Sequence, residues 1–545
     1  MTGPLCPGEN AMIRRATLKA ALLGAMACLG VGPAGAQPAA TTLLVHLDQP
    51  GARIAPEIYG QFVEHLGRGV YEGIWVGEKS PIPNVRGIRR DVVEALKPLH
   101  IPVIRWPGGC FADSYHWRNA IGPQSRRVPE INASWGGKPD TNAFGTHEFM
   151  DFLGQIGAEP FVSVNVGSGS VQEADDWMRY MTAPTDSAPG RARANNGHAE
   201  PWPVQYIGVG NETWGCGGNM TADTYAQTYR HYAAFLRSYS GPRARLIAVG
   251  ADSDDYAWTE TMMARAVTWR PDPTPLAYID DKPLMWGLSL HFYTFAGNDW
   301  RNKGRNVGFD RTGWAKALQR TMLTDELITR HAAIMDRYDP DKKIALAVDE
   351  WGAWFQSEKD APSNLYLEST LRDAVIAGLS LNIFNRHADR VRMANLAQMV
   401  NVIQSLVLTR GKEMVVTPTW HVFDLYKVHQ GATQIPVDVA TADYVEGDIR
   451  MPQVSVSASR DETGAVHLSI VNLDPEHAAP ISATLVGAAG KSVSAQALTA
   501  AAIDTKVEFG AADPFVPKPI DGARLDGSTL SILVPARSVS MVTIR

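Results

Sequence analysis

A chain of 545 residues, 45% hydrophobic and 20% charged, can bury ordinary cores and is not disordered. At roughly one domain per 150 residues it holds several domains, or two large ones if one is a barrel. A formal charge of −6, without any lysine/arginine run, argues against nucleic acid or an anionic membrane as main partner, and four cysteines are too few for a disulfide scaffold.

Residues 1–36 read as an export signal. Arg14, Arg15 and Lys19 precede the apolar run Ala20–Gly32, and Ala34-Gly35-Ala36 supplies a small-x-small cleavage site. The arginine pair fits a twin-arginine signal as well as ordinary secretion. An exported enzyme, periplasmic or extracellular, is therefore expected. No later apolar run reaches 18 residues, so no membrane span is expected. Residues 37–54 contain a short strand, Thr42–Leu47, that is expected to join a C-terminal sandwich.

From residue 55 to 408, apolar β-rich stretches alternate with helical patterns. The predicted strands are Ile58–Glu64, Pro102–Trp106, Pro160–Val166, Tyr206–Glu212, Leu246–Asp252, Trp286–Tyr293, Ile344–Glu350 and Val391–Gln398. Helical periods cover Asp91–Leu99, Thr146–Ile156, Ala222–Tyr239, Thr324–Tyr338 and Tyr366–His387. Eight strand–helix units predict a (β/α)8 TIM barrel of the α/β class with long loops. A doubly wound open sheet is the competitor, but no Gly-rich phosphate loop follows the first strand. Residues 409–545 change character: Val454–Ser459, Val466–Leu473, Thr529–Val534 and Val539–Ile544 alternate with period two between turns, the pattern of an all-β, jelly-roll-like sandwich. Fourteen of the 15 tryptophans fall between Trp75 and Trp354, so a flat surface for stacking sugars belongs to the barrel.

Two carboxylates carry the chemistry. Glu212 ends the fourth strand run after Asn211, and Glu350 ends the seventh. Both should stand at the C-terminal mouth of the barrel, where active sites lie. Cleavage of a glycosidic bond with retention needs two such carboxyls about 5–5.5 Å apart, one to protonate the leaving oxygen and one to attack the anomeric carbon. The other strand ends are also polar. Glu64 closes the first, Arg105 the second, His291 and Tyr293 the sixth, and Gln398 the eighth, a ring able to fix hydroxyls. Arg105 has the alternative reading of an ion pair with Glu64. His65 and His291 suit the orientation of carboxylates better than metal ligation, and neither a metal nor another cofactor is expected.

At these residues the chain resembles the α-L-arabinofuranosidases of glycoside hydrolase family 51. The resemblance rests on Ile58–Gly67, Tyr71–Gly77, Arg105–Gly109, Gly210-Asn211-Glu212, Asp349-Glu350-Trp351, Asn382–Phe384, His387–Val391 and Gln398–Ile403. It implies a barrel plus sandwich and a retaining, exo-acting enzyme with Glu212 as acid/base and Glu350 as nucleophile. Sugar-binding roles are implied for Glu64, Arg105, Asn211, Tyr293 and Gln398, with Asn211 on the 2-hydroxyl. Cys110 stands where many members carry Asn, and a thiol there is a weaker hydrogen-bonding group. The implied partners are arabinose-containing plant polysaccharides or oligosaccharides, and members are often hexamers. The alternatives are an endo-β-glucanase on the same scaffold and a non-catalytic carbohydrate-binding protein. Cys110 and Cys216 follow the second and fourth strands and should lie near the site, paired or free.

Overall fold

The computed structural model describes residues 40–268 and 285–545. The expected export signal lies outside the described residues. Eight parallel strands close into a barrel: Gly60–Phe62, Val103–Trp106, Glu159–Val164, Tyr206–Val209, Arg245–Asp252, Gly287–Thr294, Ala345–Ala353 and Val391–Ala397. Each pairs with its sequence neighbour, and the eighth closes on the first through Asn395–Ala397 against Gly60–Phe62. All eight coincide with the strands read from the sequence. Helices surround the barrel, and its N-terminal end is plugged by Val103, Phe161, Tyr206, Ile247, Ala347 and Met393. The polar residues at the other end are therefore left to form the mouth.

Local chemistry sets the helix ends. Thr146–Ile156 stops at Gly157, whose φ of 85° is the left-handed turn that favours glycine. The helix expected over Thr324–Tyr338 starts earlier, at Arg311, because the Asp310 side chain accepts the Gly313 N–H and caps it there.

Beyond the barrel, a five-stranded and a six-stranded sheet face each other over Leu43, Val45, Val456, Leu468, Ile470, Ile481, Ile532 and Val542. Thr41–His46 lies in the five-stranded sheet, antiparallel to Val437–Ala440 and parallel to Ala479–Val486, so the start of the described chain is stitched into its C-terminal part. The strand-rich end also holds a helix the periodicity did not reveal, Pro418–Tyr426, capped by the Thr417 side chain. Its Trp420 indole donates to the carbonyl of Ala95, beside the barrel. Between barrel and sandwich runs Leu371–Arg386, buried over nearly its whole length. Among the described residues no helix is long and apolar enough to cross a membrane.

Candidate active site

The fourth barrel strand ends at Val209, and Gly210 turns the chain with φ 85°. Asn211 is buried, and Glu212 adopts φ 40°, a left-handed conformation unusual for a side chain of its size. This places the Glu212 carboxyl over the barrel mouth, 2.9 Å from Nδ1 of His291. Glu350, near the end of the seventh strand, is buried. Its Oε1 accepts from Arg105 Nη1 at 2.7 Å and its Oε2 from the Tyr293 hydroxyl at 2.7 Å. Glu212, His291 and Glu350 each present a ligand-type atom within 4.8 Å of the other two, so the two carboxylates face each other at short range.

Charge is organised around this pair. The buried Arg105 guanidinium also donates to the Asn211 side-chain carbonyl at 2.5 Å and to the Asp349 backbone carbonyl at 3.1 Å. Its Nε lies 3.6 Å from the Asp349 carboxylate. The ion pair considered from sequence is thus made with Glu350 and Asp349 rather than with Glu64. His291 sits between three carboxylates, with Nε2 3.2 Å from Asp349 and Nδ1 3.6 Å from Glu350 as well as close to Glu212. Burial opposes its positive charge, but Glu350, Asp349 and Glu212 together hold its pKa well above the ordinary imidazole value. Burial raises the Glu212 carboxyl, with the nearby charge of Glu350 adding to the effect against the His291 hydrogen bond. Asp349 is held below its usual range: burial resists ionisation, and Arg105 and His291 overcome it.

Glu64 and Gln398 form a second unit. The Glu64 carboxylate accepts from the Phe111 backbone N–H at 2.9 Å and from the Gln398 amide at 3.2 Å, while the Gln398 carbonyl accepts the Glu64 N–H at 3.0 Å. Burial pushes the Glu64 carboxyl up to about 7. Two glycines make room for these groups. A Cβ on Gly108 would stand 2.7 Å from Cγ of Glu64, and one on Gly109 would stand 3.0 Å from Oε1 of Glu350. The Pro107-Gly108-Gly109 run therefore works through close backbone approach.

Glu64, Cys110, Asn211, Glu212, His291, Tyr293, Glu350 and Gln398 all line one pocket of about 210 Å³, with Arg105 beneath its floor bonded to Glu350. The site residues read from sequence therefore converge. Cys110 is joined to Cys216 in a disulfide, so it brings no thiol to a ligand, and the pairing left open by the sequence is made. His65 stands aside: Trp106 donates to its Nε2 at 3.1 Å, which leaves Nδ1 to meet the buried Asp140 at 2.7 Å. As for metal, the ligand-type atoms of Glu212, His291 and Glu350 are already engaged with one another, with Arg105 and with Tyr293, and Cys110 and Cys216 are oxidised.

The sequence reading misses several residues of the site. Asp349 does not line the pocket but meets Arg105 and His291, and its place beside Glu350 in the same strand end is the available signal. Asp252, at the end of the fifth strand, obeys the same rule. Trp135, Trp214, Trp300 and Trp354 come from loops of unpredictable course and were signalled only by the tryptophan-rich barrel. Trp300 is 45% exposed at the rim, edge-on to Trp354 at 5.3 Å.

A (β/α)8 barrel whose strand ends bring two glutamates together at a sugar-sized pocket walled by tryptophans and polar side chains defines a glycoside hydrolase. Comparison with known proteins narrows this. Two family models match, the α-L-arabinofuranosidase 1 domain over residues 95–284 and the α-L-arabinofuranosidase C-terminal domain over residues 349–538. An intracellular exo-α-L-arabinofuranosidase of Bacteroides ovatus is 43% identical over 96% of this chain and 99% of its own. Among solved structures, a family 51 arabinofuranosidase from Xanthomonas axonopodis pv. citri is 45% identical, with TM-score 0.88 over 93% of this chain and 100% of that one. One from Thermotoga petrophila, 28% identical, superposes with TM-score 0.80 over 93% and 100%. The chain belongs to glycoside hydrolase family 51 and is an α-L-arabinofuranosidase. The comparison also corrects one expectation. Export to the periplasm or medium, read from residues 1–36, is overturned by the Bacteroides ovatus relative, which aligns over nearly the full length and is named as intracellular. A basic, short apolar stretch satisfies the composition of a leader without establishing its use.

Proposed function

We propose that the enzyme releases terminal non-reducing α-L-arabinofuranosyl residues from arabinan, arabinoxylan or their oligosaccharides by a retaining double displacement. The observation that carries this reading is the short range between Glu212 and Glu350, whose facing oxygens lie within 4.8 Å. That spacing suits direct attack by one carboxylate and is shorter than the roughly 6.5–9.5 Å of inverting pairs, which must fit a water beside the sugar. Glu350 is the nucleophile. Arg105 and Tyr293 donate to its two oxygens and orient it toward the anomeric carbon. Glu212 is the acid/base.

Charge balance supports this assignment. With Glu212 protonated, the cations Arg105 and His291 face the anions Asp349 and Glu350. When Glu350 becomes a glycosyl ester its charge disappears, and the two cations then favour ionisation of Glu212. The ionised Glu212 takes a proton from water as the ester is hydrolysed. Asn211, held by Arg105, is placed for the sugar 2-hydroxyl, and Glu64, Gln398, Tyr293 and His291 surround the remaining hydroxyls. Cys110 contributes to the wall through its disulfide. A pocket of about 210 Å³ suits one terminal sugar better than the middle of a chain.

The test uses Glu212→Ala. General acid–base help is worth roughly 10²–10⁴-fold, so the natural linkage should lose about that much. An activated aryl arabinoside, which scarcely needs a proton, should lose far less in its first step, and the glycosyl-enzyme should accumulate. Azide, which needs no base, should relieve the block and give the α-configured arabinosyl azide. Equal losses on both substrates with no azide product would defeat the assignment.

A further inference from the structure

Asp113 takes no part in the chemistry described above, yet it is 5% exposed and lies directly behind the acid/base loop. It belongs to the short turn Cys110–Ser114 that follows the second barrel strand. Three backbone N–H groups from the loops after two other strands converge on its carboxylate. Oδ1 accepts from Val166 at 2.7 Å and from Gly167 at 2.9 Å, just past the end of the third strand. Oδ2 accepts from Asn211 at 2.8 Å, one residue before Glu212. Its own carbonyl accepts from the N–H and the hydroxyl of Ser168, both at 3.0 Å. A Cβ on Gly167 would come within 2.9 Å of the Asp113 Cβ, and one on Gly217 within 2.6 Å of Oδ2, so two loops approach through glycine to reach it.

The segment that Asp113 grips is a demanding one. Glu212 is held at φ 40°, and its carbonyl accepts the N–H groups of Gly215 at 2.7 Å and Gly217 at 3.1 Å in a tight turn. Such a conformation persists only where the surroundings over-determine it. The same two loops are joined again on the far side of Glu212 by the Cys110–Cys216 disulfide. Glu212 is thus bracketed between a hydrogen-bonded tether at Asn211 and a covalent one at Cys216, both anchored in the turn after the second strand.

We propose that Asp113 is a positioning residue for the acid/base. By binding the backbone of residues 166, 167 and 211 at once, it fixes the height and direction of Glu212 relative to Glu350. A carboxylate is suited to this task because two oxygens must accept three N–H groups. An amide keeps one oxygen for Val166 and Gly167 but turns an NH2 against the Asn211 N–H, which releases only the tether to the catalytic segment. The inference rests on Glu212 as acid/base, and the experiment separates the two ideas.

Asp113→Asn, Glu212→Ala and the double variant are compared on an activated aryl arabinoside and on an unactivated alkyl arabinoside. Asp113→Asn should lower kcat/KM on the alkyl substrate by about tenfold or more, but by less than the roughly 10²–10⁴-fold that complete loss of general acid help costs. On the activated substrate it should change kcat/KM by less than about threefold, while kcat and KM fall together as the base-assisted second step slows. In the Glu212→Ala background the further loss on the alkyl substrate should fall below about twofold, because the two changes act on one function. A uniform loss on both substrates, or full additivity in the double variant, overturns the proposal. If Glu212→Ala itself shows no dependence on leaving group, the acid/base assignment fails instead. Asp113→Glu, which keeps the charge and moves it by one methylene, should show the same split and replaces Asp113→Asn should that variant not fold. If neither folds, the residue serves folding alone and the proposal falls.

Discussion

The sandwich and the barrel mouth are both built from buried residues on or just past strands, yet they bury opposite chemistry. The sandwich core is aliphatic, with Leu43, Val456, Leu468, Ile470 and Val542 interleaved between two sheets. The mouth buries Glu64, Arg105, Asn211, His291, Asp349, Glu350 and Gln398 in a connected polar array. Aliphatic burial stabilises at about 25 cal/mol per Å², whereas charges taken out of water recover their hydration only through well-made partners. The comparison teaches that the sandwich is arranged for stability, while the mouth is arranged for charge placement and leans on the rest of the fold.

The comparison can be broken most sharply at Glu350, the proposed nucleophile. Glu350→Ala should lower kcat/KM on the order of 10⁴-fold or more on activated and natural substrates alike, because the covalent step itself is lost. A residual rate within about a hundredfold of wild type in initial-rate assays would place the nucleophile elsewhere.

In the sandwich the opposite pattern is expected. Leu468 is fully buried, and Leu468→Ala should cost about 2–5 kcal/mol of stability by denaturant titration. Its kcat/KM at a temperature where the variant stays folded should remain within about twofold, since distant sites act independently. A large activity loss in the folded variant would mean that the two regions are coupled.

The charged mouth should also leave a signature in stability against pH. The folded pKa of His291 is raised well above its ordinary value, so its contribution is fully present below the unfolded pKa of about 6.5. It is lost as pH rises through the folded pKa, because the native state keeps a proton that the unfolded state has released. Denaturation curves from pH 6.5 upward should therefore show stability falling by up to about 1.4 kcal/mol per pH unit from this group, and His291→Gln should flatten that fall. An unchanged slope in the variant would show that His291 is not the protonated bridge between the carboxylates.

The smallest effect concerns salt. A neutral arabino-oligosaccharide offers no charge for long-range attraction, so kcat/KM should change by less than about threefold between low and moderate ionic strength. A steep dependence would point to an acidic substrate and would make the mouth an electrostatic funnel as well as a catalytic array.

Much of this is legible in the sequence. The eight strands announce themselves as apolar runs, and Glu212 and Glu350 stand out because polar residues ending such runs must gather at one face of a barrel. Less legible were groups whose roles depend on loop course. Trp135 reaches the pocket on a hairpin, and Asp113 is an ordinary turn residue until three backbone N–H groups meet on it. The serines of Val454–Arg460 are a further example. Alternation marks a sandwich strand but not what its serine face meets: Ser457 is buried and donates to the Asn382 side chain on the helix Leu371–Arg386, which covers the sheet.

By itself the sequence determined the strand and helix periods, the order of barrel and sandwich, and the pair of glutamates, because these follow from local patterning and from the one face on which a closed barrel collects its strand ends. Only the tertiary structure decided that His291 bridges Glu212 and Asp349, that Arg105 bonds Glu350 and Asn211, that Cys110 joins Cys216, and that Asp113 accepts the Asn211 N–H. The reason is physical. A side chain's charge state and bonding partner are set by burial and by groups that chain closure brings from as much as 245 residues away, as with Arg105 and Glu350, and no local pattern encodes that meeting.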